Sequence, residues 1–273
     1  CHPDSTTATG ETYIPSYSIY FLPGADSSTI EGLYLNHDIN FNVSWNNDTI
    51  SNVMIKRCRC RKIALGYGSS GNVFNVTISE SIFNTLYGRY AKFVNVEKSI
   101  ISDRINTING NILFANNVFL HNDNYGSTHS PLCDNVYNVL FKNNIFADDQ
   151  HPGAEYSVFT NNVFGHLTPY TSGTSSYDTT NVYAGHVDSV RFNNYENVIY
   201  KPYQVTDDFH LQPGSPAIGV GDDGYEAGIY GTANPTKDGW VPETPHIQLF
   251  NIAPSSINGK LPVEVKVRAQ SSN

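Results

Sequence analysis

The sequence predicts an all-β fold, a parallel β-helix with a C-terminal β-hairpin, and three observations lead there. A six-residue unit is written three times, as FANNVF (114–119), FKNNIF (141–146) and FTNNVF (159–164). Weaker copies precede it at a near-fixed spacing, the mark of a solenoid. Asparagine outnumbers leucine, 31 to 13; leucine is normally among the commonest residues, so the fold has a special use for Asn.

The first 29 residues form a polar leader, CHPDSTTATGET, followed by an apolar and aromatic stretch, YIPSYSIYFLPG (13–24). A solenoid exposes its core at both ends and needs caps. The aromatic stretch is the candidate for the first end, alone or together with another protein. Cys1 followed by polar residues has the look of a mature bacterial lipoprotein, in which the cysteine carries the lipid. The alternative is that the chain simply begins there. No apolar run reaches the ~18 residues a spanning helix needs, so the expected membrane link is a lipid on Cys1 alone.

Residues 30–231 carry the repeat. VEKSII (96–101) stands eighteen residues before FANNVF, and ISESIF (78–83) eighteen before that. IKRCRC (55–60) is a weaker copy twenty-three residues earlier, and FNNYEN (192–197) keeps only the Asn pair. The apolar positions alternate in short β-branched and aromatic runs such as VTISESIF, bounded by Asn, Ser and Gly, which reads as strand rather than helix. Each unit is then one coil, about eight in all. Where two strands meet at a tight corner the backbone turns left-handed, a conformation Asn tolerates well. Asparagines at one corner of successive coils lie about 4.8 Å apart. At that distance the amide of one can bond the next, as in stacked Asn ladders. Asn117, Asn144 and Asn162, with Asn194 as a further rung, are the expected ladder. Phe114, Phe141 and Phe159 are expected to stack inside, beside Val118, Ile145 and Val163.

The NNxF corners, together with DFHLQPGSPAIGVG (208–221) and GYEAGIYG (224–231), resemble the right-handed parallel β-helix superfamily of pectate lyases. Among its members they are most similar to β-helix repeat lipoproteins of gut Bacteroidetes. The resemblance implies a right-handed coil over residues 30–231, with residues 208–231 in the final coil. It also implies an exported protein at the outer membrane or cell surface. It does not fix an activity, since the superfamily holds lyases, hydrolases, adhesins and binding proteins. Residues 232–273 form a Pro-rich connector and two alternating segments, HIQLFNIAP and LPVEVKVRAQ, that read as the hairpin.

Insertions locate the candidate site. Nine extra residues separate FANNVF from FKNNIF, and longer extras follow FTNNVF. They make loops at 120–135, 147–156 and 165–189, expected side by side on neighbouring coils. These hold His121, Asp123, His129, Asp148, Asp149, His151, His166, Tyr170 and Tyr177. Tyrosine can stack on a sugar ring, and carboxylate or imidazole can bond its hydroxyls; solvated turn residues are the plainer reading. Asp148, Asp149, Gly165 and His166 partly resemble polygalacturonase pieces, and paired carboxylates suit glycoside hydrolysis. The rest of that motif set is missing. A lyase would need a base and neutralisation of a uronate by Ca²⁺ or basic groups.

Nine of the sixteen Lys and Arg lie between residues 56 and 104. Lys56, Arg57, Arg59 and Arg61 form the densest run. Stacked coils could make of them a positive stripe for an anionic ligand or a partner; a charged solvent face is the bland alternative. The net charge of −9 argues against nucleic acid, which needs a basic footprint. No cofactor is expected. Asp207–Asp208 and Asp222–Asp223 are Ca²⁺ candidates that read better as turn residues. Cys58, Cys60 and Cys133 lack the spacing of a disulfide framework or of a structural zinc motif. The expected function is non-catalytic: binding a glycan or nutrient, or serving as an accessory lipoprotein of an outer-membrane uptake complex. The alternative is a lyase or hydrolase working in the loops at 120–189.

Overall fold

In the computed structural model the chain is a parallel β-helix. The structure describes residues 12–14, 16–41, 48–66, 72–120, 132–147, 152–165, 175–177, 179–195, 203–204, 206–236, 246–252, 255 and 260–268. Among these residues eighteen strands form one sheet that winds on itself, and every pairing within it is parallel. Among the described residues there is no α-helix, only a short 3₁₀ turn at Val187–Val190.

One coil shows how the winding works. The long strand Ile100–Ala115 pairs in three places with different neighbours. Ile100 and Ile101 lie beside Val118 and Phe119 on one face. Ile105 lies beside Cys133 on a second face, and Phe114 beside Phe141 on a third. A single eighteen-residue turn thus contributes to three faces. We call the face carrying Phe114 the first, that carrying Phe119 the second, and that carrying Ile105 the third.

On the first face the register joins Ile30, Ile55, Ile78, Val96, Phe114, Phe141, Phe159 and Tyr177 in one row. The six-residue repeats therefore fall in register. On the second face the row runs Cys60, Phe83, Ile101, Phe119, Phe146, Phe164, Tyr183. Phe114, Phe141 and Phe159 stack with ring centroids 5.0 and 4.6 Å apart. Phe119, Phe146 and Phe164 stack at 4.7 and 4.8 Å. These are the spacings the strands impose, so each ring fills the gap its neighbour leaves, and all are buried.

The corner between the first and second faces holds the amide ladder. Asn117 N–H and its Nδ2 donate to Asn144 Oδ1 at 2.8 and 3.0 Å. Asn144 does the same to Asn162 Oδ1, both at 2.9 Å. Asn162 in turn donates to Asn181 Oδ1. The remaining amide hydrogens go to backbone oxygens of Val96, Phe114 and Phe141, so each buried amide is satisfied. The fourth rung is Asn181, not Asn194; Asn194 is exposed and pairs antiparallel with Asp208. Toward the N-terminus serines continue the column. Ser99 N–H donates to Asn117 Oδ1, Ser81 N–H to Ser99 Oγ, and Cys58 N–H to Ser81 Oγ.

The two asparagines of each pair have separate duties. The second is the rung. The first takes the left-handed turn: φ is 56° at Asn116, 56° at Asn143 and 54° at Asn161. Arg57, Glu80 and Lys98 occupy that position in the earlier coils.

Residues 208–231, expected in a final coil, lie elsewhere. Among the described residues after Ala184 no strand joins the parallel sheet. Asp208–Leu211 pairs antiparallel with Phe192–Asn194, and the described parts of 187–236 pack as a strap on the outside of the second face. Ile82, Ile100, Val118, Ile145 and Val163 alternate outward there, so Val118, Ile145 and Val163 do not join the inner phenylalanine stack as expected, and the strap buries them under Val187, Val190, Phe192, Phe209, Ala217, Ala227 and Ile229. Gly228 (φ +91°) has no room for a side chain, since a Cβ would come within 2.8 Å of Ile145 Cδ1. Gly228 of EAGIYG thus marks a close backbone approach to an apolar wall, whereas in GSPAIG a Cβ on Gly214 would meet the Arg191 guanidinium and Gly219 has open space beside it. Finally, His246–Ile252 and Val263–Arg268 form the expected antiparallel hairpin.

Candidate functional site

A second set of left-handed residues bends the first face. φ is 57° at Asn52, 55° at Asn75, 54° at Phe93, 58° at Asn138 and 49° at Tyr156. Such a residue interrupts the in–out alternation of a strand. Ala91 and Val94 therefore both point inward, while the two residues between them, Lys92 and Phe93, both turn out, Phe93 60% exposed. Tyr156 is turned out likewise, 58% exposed.

Between these rings the outer surface of the first face is hollowed into a groove of about 500 Å³. Its floor is the outward row Asn95, Leu113, Leu140 and Val158, which are in register across four coils. Phe93 and Tyr156 stand three coils apart, roughly 14 Å at the strand spacing. Asn111 and Asn138 line its edge, and Asn138 Nδ2 donates to Asn109 Oδ1 at 3.2 Å. Tyr137 adds a second ring 6.4 Å from Tyr156. No carboxylate, imidazole, lysine or arginine lines the groove among the described residues. Asn95 is its most polar feature. Its Nδ2 donates to Glu97 Oε2 at 3.2 Å, and its Oδ1 is buried with no partner.

The residues chosen from sequence fall differently. His121, Asp123, His129, Asp148, Asp149, His151, His166 and Tyr170 lie outside the described residues, as does Cys1. Tyr177 is in the strand Ser176–Tyr177, one rung beyond Phe159. The basic run is placed in full, and acids and rings are threaded through it. Arg57, almost wholly buried, is held between Glu31 and Glu80. Lys56 also faces Glu80. Arg61 and Lys62 share Asp38 at 2.9 and 3.2 Å. Burial pushes the Asp38 carboxyl up, but Arg61 and Lys62 outweigh it and hold it below its ordinary range. Arg59 lies over the rings of Tyr34 and Tyr203 at 4.9 and 5.3 Å, a cation–π pairing.

Cys58, Cys60 and Cys133 are buried free thiols, and burial raises the pKa of each. Such thiols stay protonated and unreactive. The calcium candidates serve the strap. Asp222 accepts from Lys142 at 2.6 Å and from Asn143 Nδ2 at 2.8 Å, and both lower its pKa. Asp208 bonds His210 Nδ1 at 2.7 Å, and His210 stacks on Tyr230.

No protein-family model, no curated protein and no solved structure matches the chain. The structure is a β-solenoid with an aromatic-walled groove on one outer face, lined by no charged group among the described residues.

Proposed function

We propose that the protein binds a neutral glycan, without turnover, along the outer groove of the first face. The single observation carrying this is the pair of exposed rings, Phe93 and Tyr156, at either end of an apolar floor. Rigid aromatic walls with a few amides suit a sugar chain, whose C–H faces pack on rings while its hydroxyls bond amides. The described lining offers no acid–base pair and no cation to neutralise a uronate. The proposed setting is a bacterial outer membrane, where an accessory protein of this kind would deliver glycan to an uptake complex.

Calorimetry against a panel of neutral and acidic oligosaccharides tests the reading. Binding of a neutral chain is expected, with Phe93→Ala or Tyr156→Ala weakening it at least tenfold and leaving thermal unfolding unchanged, since both rings are exposed. Equal affinity in both variants would move the site off the groove. Release of unsaturated or shortened products would establish a lyase or hydrolase in the 120–189 loops instead.

A further inference from the structure

We propose that the C-terminal hairpin joins two copies of this chain, the strand Val263–Arg268 of one pairing antiparallel with its own copy across a two-fold axis. The contact involves no residue of the groove. The hairpin is a separate sheet of two strands. Two strands alone are marginal in water, and further strands stabilise them. The strand Val263–Arg268 is open on both faces. Val263 and Val265 share one face, 51% and 47% exposed. Glu264 and Lys266 share the other, with side chains 55% and 62% exposed. One edge of the strand pairs with His246–Ile252; among the described residues no strand pairs with the other.

The two edges of the hairpin differ. His246–Ile252 is broken by a register shift between Ile247 and Leu249, and a bulge of that kind blunts an edge against pairing. Val263–Arg268 runs without a break. Charge then selects both occupant and register. Charges on an edge usually repel a foreign strand, but here they alternate in sign: Lys266 Nζ lies 3.5 Å from Glu264 Oε1 on one face. In an antiparallel pair, residues directly opposite share a face. With the axis at Val265, Val265 lies opposite its own copy, and each Glu264 lies opposite the partner's Lys266. Four charges of alternating sign then cover one face, and the valines meet on the other. An axis at Glu264 would bring two carboxylates together, and an axis at Lys266 two ammonium groups, both destabilising. A slip of a single residue would set valine beside charge. The strand thus fits its own copy, in one register.

Sedimentation of the full chain over a range of concentrations tests the proposal, and a monomer–dimer equilibrium is expected. Glu264→Lys alone, or Lys266→Glu alone, sets two like-charged pairs across the axis and should weaken the dimer at least about tenfold. The double variant Glu264→Lys/Lys266→Glu restores unlike pairs and should recover the wild-type affinity. Both side chains are exposed, so circular dichroism should show every variant folded. Oxidation adds a test of distance. In a Cys1→Ser background the remaining native thiols are buried. Val265→Cys places the new thiol opposite its own copy, with Cα atoms about 5 Å apart, within disulfide reach, and should cross-link under oxidised glutathione. Val263→Cys stands four residues out of step with its copy, roughly 13 Å, and should not. A monomer at every concentration would overturn the proposal and leave the edge to a strand of another protein. A dimer indifferent to both single charge reversals, or one that cross-links equally at both positions, would overturn it too.

Discussion

The early and late coils share one backbone and differ in what fills it. At residues 55–101 the inner rows are mostly aliphatic, Ile55, Ile78 and Val96 beside Phe83 and Ile101. The rungs are Ser81 and Ser99, and the left-handed position carries Arg57, Glu80 and Lys98. At residues 114–164 the rows are phenylalanine, the rungs are asparagine and the left-handed position is asparagine again. The outward corner residue follows what lies over it. Where it faces charge, Arg57 and Glu80 bond each other at 2.9 Å. Where the strap passes, Asn116 donates to Gly231 O, Asn143 to Asp222 and Asn161 to Val220 O. The doubled asparagine is therefore two instructions, one for the interior column and one for the strap. Lys98 marks the transition, donating to Asn234 O at the strap's far end.

The largest expected contrast is in the rungs. Asn144→Ala removes four hydrogen bonds from a buried site and strands partners on two coils, so it should cost roughly 3 kcal/mol or more. Ser99→Ala removes a smaller group and should cost about 1 kcal/mol. Urea unfolding of the two variants measures this; equal losses would erase the distinction between the halves.

A finer contrast separates the two duties of the pair. Asn143→Gly keeps the left-handed turn and loses the bonds to Asp222, for about 1 kcal/mol. Asn143→Ala loses both, with a further ~1 kcal/mol of backbone strain. Proteolysis of the strap should rise in both variants, while unfolding midpoints should separate them.

The smallest effect is one of pH. The folded pKa of Asp222 is lowered, first by Lys142 and then by Asn143. Its contribution is thus complete above the unfolded carboxylate value, about 3.9, and is lost as pH falls through the lower folded value. Asp208 shifts the same way: burial raises it, but the His210 backbone and ring and Asn193 together lower it further. Glu226 has the opposite sign, raised by burial, and offsets part of the loss. Strap proteolysis should increase modestly below about pH 4, and Asp222→Asn should flatten that rise.

The solenoid was legible because its periodicity is written in the residues that repeat every coil. FxNN with its two apolar partners fixes the register, and the weaker copies ISESIF and VEKSII carry Ser81 and Ser99 where the later copies have the second asparagine. Asn181 was missed because TTNVY has lost the phenylalanine that flags the motif. The strap was misplaced because Gly228 and its neighbours read equally well as a coil turn or as a close approach to an apolar wall. The groove was not legible at all. In AKFVNV, Phe93 looks like one more strand residue, and only its φ of 54° turns it outward. The loop histidines drew attention by composition, a signal that carries no geometry.

Hydrogen exchange at the corner tests the central claim most directly. The backbone N–H groups of Asn117, Asn144 and Asn162 bond side-chain oxygens of the next coil. They should exchange as slowly as the flanking strand amides. In Asn144→Ala the Asn117 amide alone of the three should lose that protection. Fast exchange at all three in the unmodified protein would mean there is no amide column, and the account of how these coils are held together would fail.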